Sequence, residues 1–366
     1  MKIPDNASLD TPFWVAFSRI PAIGRARIER LEAAFGTLRD AWTASAADLK
    51  EAGLEAKALG SVLARRPTID PDAEMDRLAR GGITALTWHD RRYPARLREA
   101  YDKPPVLYLR GTLAEADDWS VAVVGTRRAT PYGRQAAEGI VEGLVRNGVT
   151  VVSGLARGID AVAHQSAIKA GGRTIAVLPC PVNEVYPAGH HRLAEQVLDH
   201  GALLSDYPLD ARMQRESFWR RNRIVAAMTM GTVVVEAGEK SGALLTARLA
   251  LDENREVFAV PGSIFAPMSQ GPNGLILQGA KLARSADDIL SELDLMRVPQ
   301  QLELRQTLPV DATESTLLSV LSTEPLHVDD ITRDAGLPVA TVSGALAMLE
   351  LKGMIRQVAS MQYVKV

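Results

Sequence analysis

From residue 119 the chain alternates short, uninterrupted apolar runs with helix-length segments, and few architectures accommodate that alternation. The runs cover residues 121–124, 149–152, 174–178, 202–204, 232–235 and 257–260 and are rich in Val, Ile and Leu. A strand that is apolar at successive positions has no solvent face, so it needs cover on both sides. The intervening segments repeat apolar residues at the helical period and can supply that cover. The pattern predicts an α/β fold, a doubly wound, Rossmann-like parallel sheet spanning residues 119–294.

Different segments flank this core. Residues 1–80 read as a small helical domain, with Phe13, Val15, Ile20, Ile28, Leu31, Phe35 and Leu38 at helical spacing. Within it Ile20, Pro21, Ala22, Ile23 and Gly24 resemble a helix-hairpin-helix turn, whose backbone amides can hold a DNA phosphate. A glycine turn that only joins two packed helices is more common, and that reading is preferred. Residues 81–118, with Trp88, Tyr93, Pro94, Pro104 and Pro105, are expected to be extended chain bridging into the core. A linker over 295–312 contains Pro299, Gln300, Gln301 and Pro309. It leads to a unit at 313–366 in which helices near 313–323, 328–335 and 339–352 precede strands at 355–358 and 362–366. That order is the order of a winged helix.

In an open parallel sheet, ligands bind beyond the carboxyl ends of the strands. Those ends read Gly125-Thr126-Arg127-Arg128, Ser153-Gly154, Pro179, Ser205-Asp206, Glu236-Ala237-Gly238 and Pro261-Gly262. Glycine and serine let a ligand approach the backbone, and the helix starts that follow offer free amides with partial positive charge, which suits phosphate. Arg127, Arg128, Arg157, Arg220, Arg221, Arg223 and Lys240 gather at the same edge. Forked guanidinium groups match phosphate oxygens, and several along one edge suit a run of phosphates better than a single nucleotide. Any one of them could instead pair with an acid such as Asp160, Glu216 or Glu236. As a set they predict a site for the backbone of single-stranded DNA.

Other chemistries fit poorly. No Gly-x-Gly-x-x-Gly follows the first strand, and the second lacks the acid that would hold a ribose, which argues against a dinucleotide cofactor. The segment from Glu236 to Gly242 has the wrong spacing for a Walker loop, which argues against ATP hydrolysis. Six histidines and a single cysteine, Cys180, offer neither a spaced metal set nor a disulfide framework, so no metal and no cofactor are expected. The formal charge of -2 excludes a histone-like polycation but leaves room for a local basic patch. No stretch is apolar enough to cross a membrane, and Asp5, Asn6 and Asp10 break a signal-peptide pattern. A cytoplasmic protein with no membrane partner is expected.

The strand-end segments carry a family resemblance. Val124-Gly125-Thr126-Arg127, the run from Ser153 to Asp160, Arg221-Asn222-Arg223 and the run from Ser241 to Ala247 resemble the DNA-processing protein A (DprA/Smf) family, and the likeness spans residues 88–290. The resemblance implies a protein that binds and protects single-stranded DNA and helps load RecA recombinase onto it in natural transformation. It further implies a homodimer formed through the Rossmann-like domain, with no catalytic step. By matching position it assigns DNA contacts to Gly125, Thr126 and Arg127, to Ser153, Gly154, Arg157 and Gly158, and to Arg221, Asn222 and Arg223. Arg128, Lys240 and Ser241 complete the candidate set. Two positions depart from the family pattern. Trp219 replaces the usual proline and offers either a stacking surface or, the preferred reading, a packing side chain, while His190-His191 replaces an asparagine at a helix start.

Two other functions stay open. A nucleotide-processing enzyme of N-glycosidase type would need a placed acid, for which Glu236 and Asp160 are the candidates. Each has a structural use: Asp160 can cap the helix after Gly158, and Glu236 can orient Arg223 or nearby amides. The third possibility is a recombinase adaptor with a vestigial DNA site. Residues 311–366 hold four basic residues against seven acidic ones, and Lys352 is the only cation of the expected recognition helix. Duplex binding needs several phosphate contacts, so this unit is expected to be a protein-interaction or regulatory module.

Overall fold

A computed structural model of the chain describes residues 7–295, 311–322, 325–352, 354–359 and 361–365. It forms two compact units, Met1–Leu293 and Asp294–Val366. Residues 296–310, most of the expected linker, lie outside the described residues, as do residues 1–6.

The larger unit is built on one sheet. Its strands are β1 (Ile83–Thr87), β2 (Val106–Gly111), β3 (Ser120–Val124), β4 (Thr150–Ser153), β5 (Thr174–Val177), β6 (Gly201–Ser205), β7 (Gly231–Val234), β8 (Glu256–Ala259) and β9 (Lys281–Leu282). Their spatial order is β1-β2-β6-β5-β4-β3-β7-β8-β9. Strands β3 to β9 run parallel, while β2 pairs antiparallel with both β1 and β6. From β3 to β6 the chain winds in one direction, and β7 then returns to the free side of β3. The winding therefore reverses between β3 and β7, where a crevice opens at the strand ends.

Six helices precede the sheet: α1 (Ala7–Ser18), α2 (Arg25–Phe35), α3 (Leu38–Thr43), α4 (Ala46–Glu51), α5 (Ala56–Arg65) and α6 (Pro71–Arg80). The short α7 (Ala95–Glu99) lies between β1 and β2. The crossovers are α8 (Pro131–Arg146), α9 (Ile159–Lys169), α10 (His191–His200), α11 (Glu216–Ala227) and α12 (Gly242–Asp252), followed by α13 (Gln270–Leu277) and α14 (Ala286–Glu292). Alternate residues of one strand show the two covered faces. Ile175 and Val177 join a core with Trp14, Phe17, Leu86 and Ile224, whereas Ala176 and Leu178 join Leu155, Leu193 and Val197 on the other side. The amino-terminal helices thus share a core with α11 and the sheet.

The segment read as bridging chain supplies β1 and β2, so the sheet begins well before residue 119. Pro94, Pro104 and Pro105 fall in the connection between these two strands, where no ladder hydrogen bond is needed. Val106 to Leu109 of β2 is a buried apolar run like those of the parallel core, overlooked among the surrounding prolines, whereas Thr84 and Thr87 interrupt the run in β1.

The second unit is a winged helix with α15 (Ala312–Val320), α16 (Val328–Ala335) and α17 (Val339–Leu351). Its sheet has order β10-β12-β11, with β10 at Leu326–His327, β11 at Ile355–Ala359 and β12 at Gln362–Lys365. The reading had only the last two, because a two-residue strand shows no periodicity. Lys352 does not reach outward from α17: it is buried and ion-paired to buried Glu314. The one cation of the expected recognition helix is therefore in the core. Lys352→Met, which leaves Glu314 buried without its partner, is expected to destabilise this unit by about 3–5 kcal/mol. Adding Glu314→Leu should recover most of that loss, and calorimetric unfolding of the two variants checks both statements.

Candidate nucleic-acid interface

At the switch point the loops after β3 and β4, one face of α11 and the start of α12 surround a cleft of about 210 Å³. Phe218, Arg221, Asn222 and Val225 of α11 face it, at the three- and four-residue spacing that puts side chains on one side of a helix. Gly125 and Arg127 come from the β3 loop, Gly154 and Ala156 from the β4 loop, and Ser241 and Gly242 from the start of α12. Ser241 caps α12 by accepting a hydrogen bond from the Ala243 amide, and Thr130 caps α8 by accepting one from Gly133.

The glycines do different work from that expected of them. A Cβ on Gly125 would run into the Ile159 side chain, one on Gly158 would strike the Thr126 and Arg127 backbone, and one on Gly154 would take the place of the Arg221 guanidinium. Gly158 also has a φ of +80°, in the region that favours glycine. The space is filled by protein atoms, so these residues let the loops pack on each other rather than admit a ligand to the backbone. Two backbone bonds complete the arrangement: Ile159 donates to the Thr126 carbonyl at 3.1 Å, and Thr126 donates to the Glu236 carbonyl at 2.7 Å. Ser153 is wholly buried and donates its hydroxyl to the Val123 carbonyl at 2.7 Å, so it holds two strands together and does not line the cleft.

The cations divide into two groups. Arg127, Arg128, Arg157 and Lys240 are exposed, and no carboxylate among the described residues lies within ion-pairing reach of them. The Arg127 guanidinium sits 4.9 Å from the centre of the Phe218 ring, which holds it at the rim, and Phe218 in turn meets Tyr186 edge-on at 5.3 Å. Arg221 and Arg223 belong to the interior. Arg221 donates to the Val177 carbonyl at 2.8 Å and to the Asn222 side chain at 3.1 Å. Burial lowers its pKa below the ordinary arginine value, the Asp160 charge opposes that shift and Arg127 adds to it. Asn222 also donates to the Gly242 carbonyl at 3.4 Å, tying α11 to the start of α12. Arg223 points away from the cleft, to Asp206 at 2.6 Å and Asp102 at 3.4 Å. Burial alone would lower its pKa, but the two carboxylates outweigh burial and hold it above the usual range. The assignment of Arg223 to phosphate contact is therefore corrected: one residue past Asn222, the helix has turned it onto an internal ion pair.

Both candidate acids are engaged by backbone. Asp160 accepts hydrogen bonds from the Gly154 and Ala156 amides at 3.2 and 3.4 Å and so shapes the β4 loop instead of capping α9. Burial raises its pKa, against the pull of Arg221 and those amides. Glu236 accepts from the Thr130 amide at 2.9 Å and from the Thr130 hydroxyl, which orients the start of α8 and not Arg223. His190 meets the Leu155 carbonyl at 2.8 Å, so the departure at that position supports the β4 loop from outside. Phe218 was absent from the sequence candidates, although an aromatic beside Trp219 on the cationic helix was the signal available. Trp219 is 47% exposed, which leaves its ring free for stacking and weighs against the packing role preferred for it.

The comparisons with known proteins agree with this architecture. The family model for DNA recombination-mediator protein A matches residues 84–294, and the model for the DprA winged helix domain matches residues 301–360. Protein Smf of Synechocystis is 32% identical over 98% of this chain and 99% of its own. The crystal structure of DNA processing protein A from Streptococcus pneumoniae aligns with a TM-score of 0.67 at 32% identity, covering 76% of this chain and 96% of that one. A structure concerned with the single-stranded DNA binding mode of DNA processing protein A from Helicobacter pylori aligns with a TM-score of 0.52 at 30% identity, covering 58% and 95%. With the family model covering the sheet from β1 through α14 and a relative matched end to end, the chain belongs to the DNA recombination-mediator protein A family, the DprA/Smf proteins.

Proposed function

We propose that this chain binds the backbone of single-stranded DNA in the switch-point cleft, protects it, and helps load RecA recombinase onto it as a homodimer formed through the Rossmann-like domain. The observation that carries the reading is a set of exposed cations without carboxylate partners among the described residues: Arg127, which lines the cleft, and Arg128, Arg157 and Lys240, each next in sequence to a residue that lines it. Surface arginines usually meet nearby acids, and a group left unpaired at a strand-end crevice is disposed for a chain of phosphates. Arg221, Asn222, Gly125, Gly154, Gly158 and Ser153 hold the loops in place behind these contacts, while Thr126 and Ser241 add polar groups at the loop and the α12 start. Aromatic rings at Phe218 and Trp219 favour an unpaired strand, whose bases are free to stack. The related Helicobacter pylori protein, whose structure concerns single-stranded DNA binding, supports the same ligand.

The homodimer reading is supported by exposed apolar side chains near the open edge of the sheet. Ile264, Phe265 and Leu277, in the chain between β8 and β9, are 78%, 89% and 90% exposed, and β9 is an edge strand. A non-enzymatic role is supported by the two acids of the site, since Asp160 and Glu236 both serve as acceptors for loop amides. The test is fluorescence-anisotropy binding of labelled oligo-dT and of a matched duplex across a salt series. Tight binding to the single strand, with log affinity falling by about 0.7 per phosphate contact for each log unit of salt, is the expected result. Failure to bind single strands at low salt would sink the reading and turn attention to nucleotide binding and N-glycosidase assays.

A further inference from the structure

We propose that a second cleft, on the opposite side of α11 from the switch-point site, takes the continuation of the same single strand. The inference rests on the single-strand reading and extends the path of the ligand. The cleft is larger than the first, about 910 Å³, and lies between the turn at Ile20 to Gly24 and the segment that follows β6. Arg65 and Arg212 line it together with Arg220.

Charge decides what the cleft can hold. Its two carboxylates are already neutralised. Asp206 is met by Arg223 at 2.6 Å and Arg220 at 3.6 Å, and Asp210 by Arg77 at 2.6 Å and Arg19 at 3.4 Å. Arg65 and Arg212 are exposed, with no carboxylate within ion-pairing reach among the described residues, and Arg215 at the start of α11 is in the same condition. A large polar cleft whose acids are all engaged and whose outer arginines are not will attract a polyanion. Its volume is far more than a single small anion fills, whereas a flexible backbone can follow it.

The two clefts flank α11. Phe218 and Arg221 face the first and Arg220 faces the second, all within one helical turn, an axial distance of about 5.4 Å. Between them Trp219 stands 47% exposed, and the Arg220 guanidinium lies 5.3 Å from the centre of the Tyr207 ring. A base leaving the first cleft meets an open indole before its phosphate reaches Arg220. The turn at Ile20 to Gly24, for which plain helix packing was preferred, opens on this same cleft, and α2 begins there with no side-chain cap.

The experiment measures binding of oligo-dT of increasing length to the full chain and to the double variant Arg65→Glu/Arg212→Glu, with Trp219→Ala as an independent variant. All three positions are exposed, and circular dichroism verifies that the variants fold. Short oligonucleotides that fill only the first cleft should bind wild type and double variant alike. Longer ones should gain affinity on wild type and gain roughly tenfold less on the double variant, with a salt slope shallower by about two phosphate contacts. Trp219→Ala should lose part of the same length-dependent gain. An equal gain with length in wild type and double variant overturns the second cleft while leaving the first intact. Absence of binding at every length in wild type overturns both.

Discussion

Arg127→Ala is expected to weaken binding of single-stranded DNA by about ten- to hundredfold at low salt. A charge-assisted hydrogen bond contributes roughly 1.5–3 kcal/mol, and each 1.4 kcal/mol is about a factor of ten in affinity. Arg127 should fall in this range rather than below it for two reasons. Its guanidinium is held at the cleft rim by the Phe218 ring, so little side-chain freedom is lost on binding, and no carboxylate among the described residues competes for it. The slope of log affinity against log salt should become shallower by about 0.7, the share of one single-strand phosphate contact. Arg223→Ala provides the contrast. Its guanidinium bridges Asp206 and Asp102 away from the cleft, so its removal should cost stability by leaving a buried Asp206 short of a partner, with little direct effect on DNA affinity. Anisotropy titrations of both variants, each paired with a denaturation curve, separate the two effects. An unchanged affinity for Arg127→Ala would remove the residue from the site.

What could be read from the sequence was whatever depends on pattern along the chain. Continuous apolar runs identified the parallel strands β3 to β8, whose two faces are both covered, but not the exposed two-residue β9, and the switch-point location of the candidate site followed from that topology. The partners of individual side chains could not be read in the same way. Arg221, Asn222 and Arg223 are consecutive, yet a 100° step per residue sends the first to the Val177 carbonyl, the second to Gly242 and the third to Asp206. Nothing in the run of letters distinguishes a guanidinium in solvent from one buried under a loop. The glycines misled for a related reason. A glycine at a strand end permits close approach of something, and here that something belongs to the same chain: the Ile159 side chain, the Arg221 guanidinium or the Thr126 and Arg127 backbone.

The strongest test of that packing is a double-mutant cycle on Gly154 and Arg221. Gly154→Ala places a methyl group where the Arg221 guanidinium lies, and the arginine cannot move without abandoning the buried Val177 carbonyl. Overpacking costs about 1–3 kcal/mol and an orphaned buried acceptor about as much again, so the single substitution should destabilise the larger unit by roughly 2–5 kcal/mol. Arg221→Ala should cost a similar amount, because it leaves a cavity, the same unpaired carbonyl and a buried Asp160 without its neighbouring positive charge. The two costs overlap. Once the guanidinium is gone the methyl group has room, and the carbonyl can be lost only once. The double variant should therefore be more stable than the sum of the singles by about 1–3 kcal/mol. All five tryptophans lie within Met1–Leu293, so urea unfolding followed by tryptophan fluorescence reports on the larger unit without interference from the winged helix. Strict additivity would mean that Gly154 and Arg221 do not compete for one space, and the account of the β4 loop as a seat for a buried arginine would fail with it.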